Sequence, residues 1–444
     1  MKKVISLFML FLVLSYIPSH ALVVHTGKQI QLNVDTATPV MLSETKQTAF
    51  IKVSLTGFAQ EKDGVRTPAN IAIVIDKSGS MGGQKMQQAI EAAVMAVNIL
   101  DANDIVSIIT YDNSAEVIVP ATKVSDKDSI IRRIRNIRAN GSTALFAGVS
   151  KGAGEVRKFI EKNRVNRVIL LSDGQANVGP STPTELGQLG ISLAKERISV
   201  TTIGLGLGYN EDLMTQLAGY SDGNHAFVEN ANDLVKIFRY EFGDVMSVIA
   251  QDVNIIINCS PNVRPIRVLG RKADIIGNRI HTRMNQMYSE QEKFVLIEVE
   301  VLPAAEGTSY ELAAVDVSYE NLRSHKKDTI SGNTKIAFSS SREKIKKSTN
   351  IAVMEKAVEQ VAAENNRQAI QLRDKGQVHE AKKVLNQTAE YLKDKASAYN
   401  SDSIKKLEQE NRQDAEEIDD ESRWNTKRKD LKARIYKRSK QQSY

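Results

Sequence analysis

The sequence predicts an α/β protein with a doubly wound, mostly parallel sheet, an accessory β-sandwich and a helical C-terminal region. Three observations predict it. Ile71-Ala72-Ile73-Val74-Ile75 and Val168-Ile169-Leu170-Leu171 are short, unbroken apolar runs rich in branched residues, as strands buried on both faces require. Between such runs apolar residues recur at helical spacing, as in Met86, Ile90, Val94 and Val97. On either side of this region the pattern changes to a period of two, the mark of half-buried strands.

The chain has 444 residues, enough for two to four domains at roughly 100–200 residues each. Its 41% hydrophobic and 25% charged residues are ordinary for a globular protein and exclude collagen, a polytopic membrane protein and wholesale disorder. Cys259 is the single cysteine, which excludes an intramolecular disulfide and any multi-cysteine metal site. Six scattered histidines without an HExxH pair argue against a His-based catalytic zinc site.

Residues 1–21 have the form of a secretory signal peptide. Lys2 and Lys3 precede an apolar stretch over 4–17, and Ser19-His20-Ala21 is a small-residue cleavage site. The stretch falls short of the roughly 20 residues of a membrane span, which disfavours the rival reading, a retained signal anchor. The expectation is a cleaved, exported protein, periplasmic or extracellular. Residues 22–67 supply N-terminal strands that belong with the accessory sandwich, as in Phe50-Ile51-Lys52-Val53-Ser54-Leu55.

Residues 68–243 alternate strand and helix. After the strand at 71–75 comes a helix over 85–100, then a strand over 105–111 with an antiparallel neighbour at 115–119. Ile130, Ile134 and Ile137 mark the next helix, and another covers 145–160. The strand at 168–171 precedes a helix over 186–195, a strand over 200–205, and helices at 213–217 and 234–242. Such alternation means βαβ units. Ligand sites in these sheets lie beyond the carboxyl ends of the strands, where strand order reverses. Asp76 and Asp173 each directly follow a buried strand there.

Residues 247–340 return to strands, at 253–257 and 294–299, and form the sandwich. Residues 345–397 form a helical hairpin: Ile351, Met354, Ala357, Val358 and Val361 make one face, Lys375-Gly376 breaks the run, and Ala381, Val384, Leu385, Ala389 and Leu392 make the second. Residues 398–444 are a charged tail. From 408 to 421 there are eight acids and one Arg; from 423 to 444 there are nine Lys or Arg and one Asp. The two blocks either pair as helices or stay disordered, and composition favours a solvated or disordered end. The overall charge of +7 thus reflects the tail, which suggests weak contact with an anionic membrane. Trp424, Tyr436 and Tyr444 are too sparse to stack on nucleic-acid bases.

Three segments carry chemistry: Asp76-Lys77-Ser78-Gly79-Ser80, Gly141-Ser142-Thr143-Ala144-Leu145 and Ser172-Asp173-Gly174. Singly, each also serves structure, as a helix cap or a turn. Together, Asp76, Ser78, Ser80, Thr143 and Asp173 offer two carboxylates and three hydroxyls at segment ends. Such hard oxygen donors select Mg²⁺, Ca²⁺ or Mn²⁺ over zinc or copper. A helix beginning at this point opposes a cation weakly, which the two aspartates would offset.

The three segments match the metal-ion-dependent adhesion site of the von Willebrand factor type A domain, which residues 68–243 resemble. GLGLGYNEDLMTQLAGYSDGNHAF, at 204–227, resembles the end of bacterial members. The resemblance implies a Rossmann-like domain in which Ser78, Ser80 and Thr143 bind a metal directly and Asp76 and Asp173 bind partly through water. It implies Mg²⁺, with Ca²⁺ or Mn²⁺ as alternatives, and an open position for an Asp or Glu of a protein partner. The expected work is metal-dependent protein binding, in adhesion or as a scaffold, without enzyme activity. The alternatives are an envelope scaffold whose metal is purely structural and, third, a metal-dependent hydrolase. A haloacid-dehalogenase-type phosphatase needs a second acid where this chain has Ser78. Gly204 to Gly208 lacks the third glycine of a dinucleotide loop and is read as a strand-end turn. Cys259 is read as an inert core residue.

Overall fold

A computed structural model describes residues 25–26, 29–59, 66–161 and 163–442. The expected signal peptide lies outside them. Among the described residues no helix is long and apolar enough to cross a membrane.

The chain opens with strands β1 (His25–Thr26), β2 (Ile30–Thr36), β3 (Val40–Leu42) and β4 (Gln47–Gly57). The α/β region follows as β5 (Ala69–Asp76), α1 (Gln84–Ile99), β6 (Ile105–Tyr111), β7 (Ala115–Lys123), α2 (Lys127–Arg135), α3 (Leu145–Arg157), β8 (Val165–Ser172), α4 (Pro183–Lys195), β9 (Ile198–Leu205), α5 (Glu211–Tyr220), β10 (His225–Val228) and α6 (Leu234–Met246). Seven strands come next: β11 (Val248–Cys259), β12 (Val263–Leu269), β13 (Asp274–Ile276), β14 (Arg279–Tyr288), β15 (Glu292–Val301), β16 (Ser309–Asn321) and β17 (Lys326–Ser339). Helices α7 (Arg342–Ser348), α8 (Ile351–Asp374), α9 (Val378–Tyr399), α10 (Asp402–Glu417) and α11 (Trp424–Lys440) end the chain.

The central sheet has the order β10-β9-β8-β5-β6-β7. All its neighbours are parallel except β6 and β7. All eight residues of β5 are buried. Ile71, Ile73 and Ile75 pack with Ala89 and Ala93 of α1 and Phe238 and Phe242 of α6; Ala72 and Val74 face the other way, onto Val149 and Ala153 of α3. Apolar layers on both faces explain why the run is unbroken rather than alternating. Strand order reverses at β5, the first strand of the sheet. There the ends of the strands are level: Asp76 pairs with Tyr111, and Ile75 with Leu171. Helix α3 seats closely because Gly148 and Gly152 carry no side chain. A Cβ would lie 2.5 Å from the Tyr111 ring at Gly148 and 2.6 Å from Val74 at Gly152. That seating fixes the loop ahead of α3, which carries Thr143.

The expected sandwich is present and takes in the N-terminal strands. Its sheets are β1-β2-β4-β15-β12 and β13-β14-β11-β16-β17-β3. They share a core that includes Leu32, Val53, Ile255, Ile297 and Val317. The outer face of the first sheet, at Leu269, Phe294 and Leu296, is covered by Val353 and Ala357 of α8.

Residues 401–442, the described part of the tail beyond α9, take the paired-helix alternative and correct the expectation of a solvated or disordered end. They form α10 and α11, both packed into the molecule. Leu407 and Ile404 of α10 bury against Val358 of α8 and Leu392 of α9. Leu431 and Ile435 of α11 bury against Ala363 and Ile370 of α8. The acidic and basic blocks pair with one another. Lys427 contacts Asp414 at 2.7 Å and Glu417 at 2.8 Å, and Arg434 contacts Asp414 at 2.7 Å. Arg428, Lys429 and Lys432 pair with Glu211 or Asp212 at the start of α5. Most basic side chains of α11 are thus engaged in ion pairs within the molecule. Composition misses this because a few apolar residues at helical spacing, once buried, outweigh a charged average.

Candidate metal centre

The five residues singled out in the sequence lie at the carboxyl ends of β5 and β8 and in the loop before α3. Asp76 is fully buried, and hydrogen bonds hold both its oxygens. Oδ1 accepts from the Ser78 amide at 2.8 Å; Oδ2 accepts from the Ser172 hydroxyl at 2.6 Å and the Tyr111 hydroxyl at 3.4 Å. Burial pushes its pKa above the usual carboxylate range, the Ser172 and Ser78 hydrogen bonds oppose this, and the charge of Asp173 adds to the rise. Ser78 Oγ lies 3.1 Å from Ser80 Oγ, and Ser80 Oγ donates to Asp173 Oδ1 at 2.7 Å.

Thr143 joins from the third loop. Its amide donates to Asn177 Oδ1 at 2.9 Å, and the Asn177 amide returns a bond to its carbonyl at 3.2 Å. The Gly79 amide donates to Gly141 O at 3.0 Å, tying the first loop to the third. Gly141 sits in the left-handed region at φ +85°, where glycine is favoured, and Asp112 lies directly over it. Between the loops is a small cradle. A Cβ on Gly174 would stand 3.2 Å from Thr143 Oγ1 and 3.7 Å from Ser80 Oγ. The bare glycine leaves that space open between the donors.

Ser78, Thr143 and Asp173 are buried and Ser80 is exposed, so the donor set meets solvent on the Ser80 side. No cluster of three or more His, Cys, Asp or Glu side chains among the described residues could hold a metal. The donors here are instead three neutral hydroxyls and two carboxylates, a set that fits a hard divalent cation.

Several participants carried no signal in the sequence. Lys85, in the first turn of α1, forms an ion pair with Asp173 Oδ2, a contact that no local spacing announces. Ser172, which opens the SDG segment, and Asn177, three residues past it, brace Asp76 and Thr143; their place in or near that motif was the available clue. Lys77 turns away from the donors to Asp112 at 3.2 Å. The turn after β9 is a strand end and not a nucleotide loop. It forms a wall of the site: Gln175 Nε2 donates to Gly208 O at 2.7 Å, and a Cβ at Gly208 would lie 2.5 Å from Asp173 O. Cys259 is buried in the sandwich core, where burial pushes its thiol up to about 11. That makes it inert.

Residues 70–239 match the von Willebrand factor type A domain family. An uncharacterised protein of Synechocystis is 26% identical over 257 residues, covering 56% of this chain and 60% of the relative. The chain thus spans less than two thirds of that protein. Among solved structures, a von Willebrand factor type A protein from Catenulispora acidiphila aligns with a TM-score of 0.68 at 16% identity, over 85% of this chain and 89% of its own. VWA2, a paralog of ArnB from Sulfolobus acidocaldarius, aligns with a TM-score of 0.62 at 16% identity, over 93% and 98%. These likenesses extend beyond the α/β domain and establish the fold.

Proposed function

We propose that this chain, built round a von Willebrand factor type A domain, is an exported protein that binds another protein through a divalent cation. Ser78, Ser80 and Thr143 would hold the ion directly, and Asp76 and Asp173 through water. Mg²⁺ suits the role because it retains waters and demands near-octahedral oxygen ligation; Ca²⁺ and Mn²⁺ are the alternatives. When bound, the ion supplies an under-neutralised positive centre that attracts a carboxylate from a partner. The observation that carries this reading is the meeting of three hydroxyls and two carboxylates, from three loops, around the bare Gly174.

The protein's own residues do the rest. Ser172 and the Ser78 amide orient Asp76, and Asn177 fixes the loop of Thr143. The Ser80 side stays open to solvent and to an incoming acidic side chain. We read the site as a binding site and not a catalytic one. The titratable groups of the three donor segments, Asp76, Lys77 and Asp173, are each already engaged, which leaves none of them a free proton carrier.

The test is capture of envelope proteins by the full chain in Mg²⁺, in EDTA, and with Asp76→Ala. Loss of capture in EDTA and in the variant, with the melting temperature held, supports the proposal. A falling melting temperature, with capture lost only in proportion to folded protein, means a structural metal. Capture indifferent to both overturns the metal bridge.

A further inference from the structure

Away from the metal loops, the α/β domain, the sandwich and the helical region meet around a cleft of about 570 Å³, walled by α5, residues 268–272, α8 and α11. Six cations line it: Arg271, Lys272, Arg367, Arg428, Lys432 and Lys440. Three carboxylates line it too, and all are already engaged. Asp212 holds Arg428 and Lys432, Asp374 holds Arg428, and Glu364 holds Arg267 at 2.7 Å.

The cations are unequally matched. Arg428 lies among Glu211, Asp212 and Asp374, which raise its basicity in spite of burial. Arg367 has only the Ser439 hydroxyl, at 3.2 Å, and no ion pair among the described residues. Burial pulls Lys432 and Lys440 below their usual basicity, and the carboxylates near each do not restore it, whereas Arg367 stands exposed at the rim of the cleft. The Arg271 side chain is 6% exposed and reaches Asp222 at 2.8 Å, yet its Nε has no hydrogen-bond partner among the described residues. Lys272 rests 3.5 Å above the Tyr220 ring.

Cations that outnumber the carboxylates lining one cleft, with Arg367 and Lys272 in no ion pair among the described residues, favour an anion from outside. Guanidinium forks and ammonium groups together suit tetrahedral oxyanions. The Tyr220 ring, Ile370 and Ile435 add apolar wall, and the volume is in the range of small-molecule sites. We propose that this cleft binds a small organic anion through a doubly charged oxyanion group, a phosphate or sulfate ester. Bound there, the ligand touches all three parts of the molecule and holds the helical region on the α/β domain.

Calorimetry and thermal melting of the full chain test this, in EDTA so that no metal recruits the anion. The probes are glycerol phosphate, its sulfate counterpart and sodium chloride at matched ionic strength. Saturable binding with a raised melting temperature is expected for an ester, with the tighter of the two naming the group. Arg367→Gln should weaken it at least tenfold, and Arg132→Gln, on the exposed face of α2, should leave it unchanged. Lys272→Gln serves if Arg367→Gln does not fold. No saturable binding, an equal melting shift with chloride, or full affinity in the cleft variants overturns the site.

Discussion

Strand β8 holds a buried charge near each end, and the two are treated in opposite ways. Near its start, Arg167 is fully buried and engaged from three sides, by Glu241 of α6, Gln286 and, at 2.7 Å, Tyr288 of the sandwich, with only its Nε left without a hydrogen-bond partner among the described residues. Glu241 and Tyr288 hold it protonated against burial. Just past its end, Asp173 is buried too, but its partners are a serine hydroxyl and the half-exposed Lys85. A buried charge matched by fixed internal partners joins two domains. A buried charge left with a neutral and a part-exposed partner is the kind the proposed ion would neutralise.

The largest expected effect lies at the matched end. Arg167→Met strands Glu241 in the interface and should cost about 3–5 kcal/mol, measured by denaturant unfolding. Adding Glu241→Leu should return most of that loss, since removing both charges spares either from isolation. If the single variant costs nothing, the pair is not the joint between the domains.

His225 sharpens the comparison as a buried group held neutral. Burial foremost lowers its pKa to about 3; Glu211 opposes this, and Lys437 and Lys429 assist. The unfolded chain therefore binds the proton more readily, and stability should fall as pH drops from about 6.5 toward 3. His225→Gln should flatten that part of the curve in acid melts. An unchanged slope would assign the acid sensitivity elsewhere.

The smallest effect on stability is expected at the unmatched end. Asp173→Asn should change unfolding by less than about 1 kcal/mol, because its partner Lys85 is partly solvated. The same variant should abolish Mn²⁺ binding followed by electron paramagnetic resonance. A large loss of stability with metal binding intact would reverse the contrast between the two ends.

The parallel sheet was legible in the sequence because strands buried on both faces are written as local apolar runs. The grouping of the five candidate residues was legible because each lies where such a run ends or a helix begins. Lys85 was not, since its meeting with Asp173 depends on how α1 crosses the sheet. The packed tail was not either, because average charge conceals the pairing of Lys427 with Asp414 and the burial of Leu431 and Ile435.

By itself, then, the order of residues determined the elements and which side chains stand at their ends, because hydrophobic period and capping chemistry act over a few neighbours. Only the tertiary structure decided which buried charges are neutralised from within. That balance is set by partners tens to hundreds of positions away, such as Glu241 for Arg167 and Asp212 for Lys432, and distance in space, not in sequence, governs it.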